Sequence, residues 1–372
     1  MNTDRLARLT TAMTEQDFAA VVLMPAANLR YLTGLTFHPG KRLTLAIFPA
    51  NGTTPAFVLP AMELAQAQTH AGLSMSFYPW NDADGPQQAL ADAIADTLGS
   101  HTKGRLLGVE YTAMRVMEMR ALEHAAPGAE IVDAVPLLAN LRMVKDQEEL
   151  EAMTEAAQII DAAIYRTIAQ IKIGMTEREL SAICTQEIKA AGGEGESFDN
   201  IIASGPNSAS PHHNNTDRQF QSGDLIIIDC GARYKGYLSD ITRTVVVNEP
   251  SAEARRIYEL VLAANNAGRA VIRPGITGEQ IDQAARTVIT AGGFGDYFIH
   301  RTGHGLGLEA HEPPYIVGGS TMPLPVGATF TIEPGIYING VGGVRIEDDV
   351  VITEEGGKSL TNFDRELIVL QV

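Results

Sequence analysis

Two apolar runs in this chain each end in a carboxylate. Ile226-Ile-Ile228 leads into Asp229, and Phe330-Thr-Ile332 leads into Glu333. A second acid follows each one: Asp240 lies 11 positions after Asp229, and Glu347 lies 14 after Glu333. Turn residues fill the first interval from Gly231 to Gly236, and Asn339-Gly340 is a hairpin signal in the second. If the facing side chains of each pair share one side of a sheet, four acids converge. Repulsion and desolvation would then raise their pKa values or open the fold unless a cation compensates. Two divalent cations balance such a cluster. An oxygen-rich site with one imidazole suits Mn²⁺, Co²⁺ or Zn²⁺ rather than copper or an iron–sulfur centre. His304 supplies the imidazole, in Thr302-Gly-His304-Gly-Leu-Gly307, where flanking glycines allow close backbone approach. The expected ligands are Asp229, Asp240, His304, Glu333 and Glu347.

Taken singly, an acid near a strand end is more often a solvated or capping residue. Here the preceding apolar residues predict burial of both Asp229 and Glu333, and buried anions need partners. Histidines add to the pattern. Five of the nine in the chain, at 212, 213, 300, 304 and 311, fall in two short windows rich in glycine and proline. A lone histidine is usually a packing or surface residue, and His213 is read that way; the clustering points His212, His300 and His311 towards a site.

The elements that must position these residues repeat. Gly174-Met-Thr-Glu-Arg-Glu-Leu and Lys189-Ala-Ala-Gly-Gly-Glu-Gly195 recur as Gly275-Ile-Thr-Gly-Glu-Gln-Ile and Ile289-Thr-Ala-Gly-Gly-Phe-Gly295. Gly223-Asp-Leu-Ile-Ile-Ile-Asp229 likewise matches Gly327-Ala-Thr-Phe-Thr-Ile-Glu333. A period near 100 residues is too long for a solenoid and implies two αβ half-domains about a pseudo-two-fold axis. Thr176 with Glu179 is a capping-box start. Ahead of this region, residues 1–135 alternate short β-rich runs with helices, the mark of an α/β layer. Strands are expected at 19–24, 43–48, 56–59, 74–78, 106–109 and 130–132, and helices at 87–98 and 114–124. Residues 135–171 read as strongly helical, a linker segment leading into the second domain. Two domains follow from this, 1–135 and 136–372.

Composition narrows the possibilities. The chain has 372 residues, 45% of them hydrophobic, enough to bury real cores. With 28 Lys+Arg against 45 Asp+Glu, the net charge of −17 leaves no basic stripe for nucleic acid. No apolar stretch reaches the length of a membrane span, and no secretory h-region opens the sequence, so a cytoplasmic location is expected. Cys184 and Cys230 lack metal-ligand spacing and read as buried thiols. Arg30, Tyr31 and Trp80 read as surface or packing residues.

As a set, several motifs resemble one family. They are Ser204-Gly-Pro-Asn-Ser-Ala-Ser-Pro-His212, Ile228-Asp-Cys-Gly231, Ser239-Asp-Ile-Thr-Arg-Thr244 and His300-Arg-Thr-Gly-His-Gly-Leu-Gly-Leu308, then His311-Glu-Pro313, Thr331-Ile-Glu-Pro-Gly335 and Val344-Arg-Ile-Glu-Asp348. In order, over residues 140–372, they resemble the Xaa-Pro peptidase branch (prolidase and aminopeptidase P) of the pita-bread metallopeptidases. The first 135 residues are similar only in size and αβ character.

The resemblance implies an α/β (α+β) chain: a creatinase-like N-terminal α/β domain, then a pita-bread catalytic domain with a dinuclear Mn²⁺ or Co²⁺ site, usually in a homodimer. It implies small peptide substrates with proline at the second position, and no nucleic-acid or membrane partner. A water shared by two metal ions falls from a bulk pKa of about 15.7 towards about 7, which makes hydroxide available to attack the scissile carbonyl. By their places in the motifs, Glu333 would shuttle the water proton, His212 would donate a hydrogen bond to the scissile amide, and His311 would stabilise developing charge. His300 and Arg345 resemble substrate-contacting positions, with an ion pair from Arg345 to a ligand carboxylate an equal alternative. Phe198, Tyr237 and Phe298 are weak candidates for a proline pocket, with core packing the commoner role. Three rivals stay open: a creatinase-like amidinohydrolase, a lyase on the same fold, and a non-catalytic pita-bread interaction module. The filled set of five ligand positions weighs against creatinase, which works without metal.

Overall fold

The protein is described here as a computed structural model covering residues 2–99 and 101–372. It divides into two compact units, one ending at Arg142 and the other Met143–Val372. The helix Val135–Met143 thus lies almost wholly in the first unit.

The first unit is built on a six-stranded mixed sheet in the spatial order Ser76–Trp80, Ala56–Pro60, Leu45–Pro49, Phe18–Leu23, Leu106–Val109, Glu130–Asp133. All six expected strands are present within a few residues of their expected limits. The central strands are near-continuous apolar runs because helices cover the sheet. Val22, Ile47, Val58, Leu107 and Val109 pack with Leu90 and Ile94 of the helix Gln87–Leu98. Tyr31 and Trp80 are buried, their polar atoms donating to the carbonyls of Leu141 and Leu43 respectively.

The second unit carries the repeat. Helices Gln147–Ile168 and Glu177–Ala190 pack together in one lobe, and Ala252–Ala270 and Gly278–Ala291 in the other. Thr176 and Thr277 begin their helices with matching capping boxes, closed by Glu179 and Gln280. Each lobe then adds antiparallel strands. Leu225–Cys230 pairs with Ile241–Val247 in the first, and Thr329–Ile332 with Asp348–Thr353 in the second. Gly223 and Gly327 precede the first strand of each pair at φ 87° and 88°, a left-handed backbone that glycine adopts without strain. That requirement explains the glycine six residues ahead of each carboxylate.

Residues 135–171 are strongly helical, as expected, in two helices. The helix Val135–Met143 stops, and Gln147–Ile168 begins anew under a capping box in which Asp146 accepts from Glu149 N–H. The break places Val144 against Ala328 and buries Lys145 against Glu312 at 2.8 Å.

Candidate metal centre

Strand register brings the acids together. Asp229 lies opposite Thr242, so Asp240, two residues earlier, is its diagonal neighbour on the same face. In the other lobe Ile332 lies opposite Asp348, which sets Glu333 and Glu347 directly across from one another. Neither pair is joined by a simple turn. Between Asp229 and Asp240 the chain makes a small ribbon, Ala232–Tyr234 with Tyr237–Leu238; between Glu333 and Glu347 it makes Gly335–Ile338 with Gly342–Arg345. The lobes meet at these strands. Thr242 donates its hydroxyl to Glu347 Oε2 at 2.6 Å, Glu347 N–H donates to the Thr242 carbonyl at 3.1 Å, and Asp240 N–H donates to Asp349 Oδ2 at 2.9 Å.

His304 enters on the strand Gly303–Gly305. A Cβ on Gly303 would strike the Thr331 carbonyl and one on Gly305 the Pro313 carbonyl, which is why glycines flank it. Its Nδ1 lies 3.1 Å from the Gly305 carbonyl, an acceptor only, so Nδ1 carries the proton. Nε2 is then a free lone pair, 3.4 Å from Glu333 Oε1 and 3.9 Å from Asp240 Oδ2. Burial, reinforced by neighbouring His311, lowers the imidazole pKa to about 3 and keeps it neutral. The His311 ring packs edge-on against it at 4.1 Å.

All nine candidate residues, Asp229, Asp240, His304, Glu333, Glu347, His212, His300, His311 and Arg345, line one cavity of about 1030 Å³. Ligand atoms of Asp240, His304 and Glu347 lie within 4.8 Å of one another. Asp229 Oδ1 and Asp240 Oδ1 are buried with no hydrogen-bond partner among the described residues. Burial and the neighbouring acids, Glu347 and Asp229 foremost, drive the Asp240 carboxyl far above the carboxylate range. Burial with Glu333 and Asp229 does the same to Glu347. Glu333 is more open than expected, its side chain 15% exposed on the cavity, and burial pushes its pKa up to about 7 against the pull of Arg345. Orphaned carboxylate oxygens, crowded acids and an imidazole with a free Nε2 fit a metal ion well.

Arg345 is held on the protein side of this wall. Its Nη2 donates to Asp229 Oδ2 at 2.6 Å, Nε to the Thr242 hydroxyl at 3.1 Å, and Nη1 to the Tyr337 hydroxyl at 2.9 Å. Tyr337 escaped the sequence reading, although alternation from Glu333 through Gly335 to Tyr337 marks it as sharing a face. Its hydroxyl lies 2.8 Å from His300 Nε2, and His300 Nδ1 lies 2.7 Å from the Arg301 carbonyl, so the tyrosine donates to the ring. Burial, then Arg345, lowers the His300 pKa to about 4. His212 is exposed within the cavity. His213 also lines the cavity and is tied to Glu177 at 2.7 Å. Burial raises Glu177, but hydrogen bonds led by Thr216 and Asn207 outweigh it and bring the pKa down to about 2.

Of the three aromatics considered for a proline pocket, only Phe198 lines the cavity. Phe298 is buried in the core with its ring edge-on to His300, and Tyr237 donates its hydroxyl to Glu149. Cys184 and Cys230 are buried free thiols. No described helix is long and apolar enough to cross a membrane.

Fold and site together define a pita-bread domain with two-fold internal repetition, following a creatinase-like domain. The chain belongs to metallopeptidase family M24, which matches residues 151–354, while residues 5–144 match the creatinase/prolidase N-terminal domain. It is similar along nearly its whole length to the "probable dipeptidase PepE" of Mycobacterium tuberculosis, at 39% identity covering 99% of this chain and 96% of the relative. The Xaa-Pro dipeptidase of Pyrococcus furiosus is 36% identical, covering 98% and 99%. The crystal structure of prolidase from Thermococcus sibiricus superposes with a TM-score of 0.93 at 37% identity, covering 100% and 99%.

Proposed function

We propose that this chain hydrolyses Xaa-Pro bonds in small peptides, with two divalent metal ions held by Asp229, Asp240, His304, Glu333 and Glu347. The observation that carries this reading is four acids and a neutral imidazole enclosing carboxylate oxygens that lack hydrogen-bond partners among the described residues. Relatives named Xaa-Pro dipeptidase and prolidase support the substrate class. Manganese is the ion we favour, because the donor set is mostly hard oxygen. When bound, the ions supply Lewis acidity and a water acidic enough to react near neutral pH.

The side chains have separable tasks. Arg345 fixes Asp229 in one orientation, and the Gly305 carbonyl fixes the His304 tautomer. Glu333, on the cavity wall, accepts the water proton and returns it to the leaving nitrogen. His212 donates a hydrogen bond at the scissile amide, and His311 faces the carbonyl oxygen as charge develops there. His300, held by Tyr337 and the Arg301 carbonyl, contacts the substrate from the Arg345 side. An Xaa-Pro amide has no N–H to recognise, so the ring must be read by packing, and Phe198, which lines the cavity, is the candidate for it. The enzyme acts as a cytoplasmic homodimer in this reading, which rests on the family resemblance and on two cysteines kept as free thiols.

The test is hydrolysis of Ala-Pro, Ala-Pro-Ala, Ala-Ala and creatine by protein stripped with a chelator and reloaded with Mn²⁺. Cleavage of the proline peptides that is lost on stripping and regained on reloading is expected, and the preferred length separates a dipeptidase from an aminopeptidase. A fully metal-loaded chain that leaves both proline peptides intact overturns the reading.

A further inference from the structure

Glu177 opens the helix Glu177–Ala190 and is fully buried, yet it belongs to neither acid pair. Its carboxylate accepts six hydrogen bonds, all from residues 204–216. Oε1 accepts from the Ser204 N–H (2.9 Å), the Ser204 hydroxyl (2.7 Å) and the Asn207 side-chain amide (2.9 Å). Oε2 accepts from the Thr216 N–H (2.9 Å), the Thr216 hydroxyl (2.7 Å) and His213 Nε2 (2.7 Å). The acceptor capacity of both oxygens is filled, so Glu177 can act only through that stretch. Because an ionised carboxylate only accepts, His213 Nε2 carries a proton, and the His213 ring is anchored in one tautomer.

His212 sits between the anchored ends. Its own side chain makes no hydrogen bond among the described residues. What holds it is backbone: the Pro211 carbonyl before it, a long 3.5 Å from Arg345 Nη1, and His213 after it, whose ring is tied to Glu177.

We propose that Glu177 is a positioning residue for the peptidase reaction, gathering residues 204–216 onto one buried carboxylate so that His212 meets the substrate; this rests on the Xaa-Pro peptidase reading above. The distances make the dependence steep, since displacing a reacting or hydrogen-bonding group by about 1 Å costs on the order of 100-fold in rate.

Glu177→Gln in the full-length, Mn²⁺-loaded protein keeps the side-chain shape but turns one acceptor into a donor that faces three donors. On Ala-Pro, kcat is expected to fall about 10- to 100-fold with KM altered less than about threefold, and with wild-type metal content. The decisive readout is a double-mutant cycle with His212→Ala. In that background Glu177→Gln is expected to change kcat by less than about twofold, because the group it positions is gone. An equal loss in both backgrounds overturns the proposal, as does an unchanged kcat in Glu177→Gln alone. Should Glu177→Gln not fold, Thr216→Val, which removes a single side-chain donor, replaces it in the same cycle with the same criteria. Wild-type protein, metal-loaded but inert on Ala-Pro and Ala-Pro-Ala, overturns the underlying reading as well; an active wild type with an additive cycle overturns only the role of Glu177.

Discussion

In the metal-free protein the crowded acids should trap protons, and Glu333 gives the size of the effect. Its carboxyl titrates at 4.5 when free and at about 7 in the fold. Between those values the folded state holds a proton on Glu333 that the unfolded state has released, so the stability this group contributes is fullest below pH 4.5 and declines as pH rises through 7, opposite in sign to His304 and His300, whose lowered pKa values make stability rise with pH. A displacement of that size corresponds to about 3 kcal/mol from this one group. Asp240 and Glu347, also raised, act in the same direction. Metal loading removes the penalty by replacing the protons, so binding near pH 6 should release at least about one proton per chain. Urea unfolding of chelator-treated wild type and Glu333→Gln at a series of pH values measures the first effect as the difference between them. Calorimetric titration with Mn²⁺ in buffers of different ionisation enthalpy measures the second. A pH dependence between 4.5 and 7 that is the same in metal-free wild type and metal-free Glu333→Gln, or metal uptake without proton release, would refute the electrostatic basis of the centre.

Other substitutions separate ligands from their neighbours. Asp240→Ala and His304→Ala should abolish both metal content, measured by atomic absorption, and Ala-Pro hydrolysis, whereas His311→Ala should retain metal and lose about 10²- to 10⁴-fold in kcat. A His304→Ala protein with full metal and full rate would contradict the ligand set. Lys145→Met removes the cation 2.8 Å from Glu312 where both side chains are under 5% exposed, so unfolding should cost about 3–5 kcal/mol less in a urea titration; adding Glu312→Gln should recover most of that loss. Arg345→Met removes the partner of Asp229 and should destabilise the metal-free protein by a similar amount, about 3–5 kcal/mol, with a smaller loss once Mn²⁺ is bound.

Much of the site was legible because its geometry is written locally. Apolar strands ending in acids, a glycine before each strand and a glycine-flanked histidine are all short-range patterns, and the internal repeat says that they meet. What stayed hidden depends on distant partners. The ion pair expected of Arg345 named no particular carboxylate; its choice of Asp229, like the contact of Tyr337 with His300, is made across distant stretches of chain. His213 reads as an ordinary residue beside His212 until Glu177, 36 positions away, is found against its ring. The first helix, Asn2–Glu15, was missed because its buried stripe is Arg5, Leu9 and Met13, and an arginine in that stripe breaks the apolar period. The break at residues 144–146 is fixed by Ala328 and Glu312, although the Asp146–Glu149 capping box did signal it locally.

The ribbons that leave and re-enter the sheet between each pair of acids make chain length and active-centre geometry independent. The acids lie eleven positions apart in one lobe and fourteen in the other, yet both pairs are set by neighbouring ladder positions. A residue gained or lost at either tip, Lys235-Gly236 or Asn339-Gly340, lengthens or shortens a detour and leaves the acids in place. For recognising such centres in other chains, the ruler to carry is the pairing of the flanking strands, since counting residues between the acids measures only the detour.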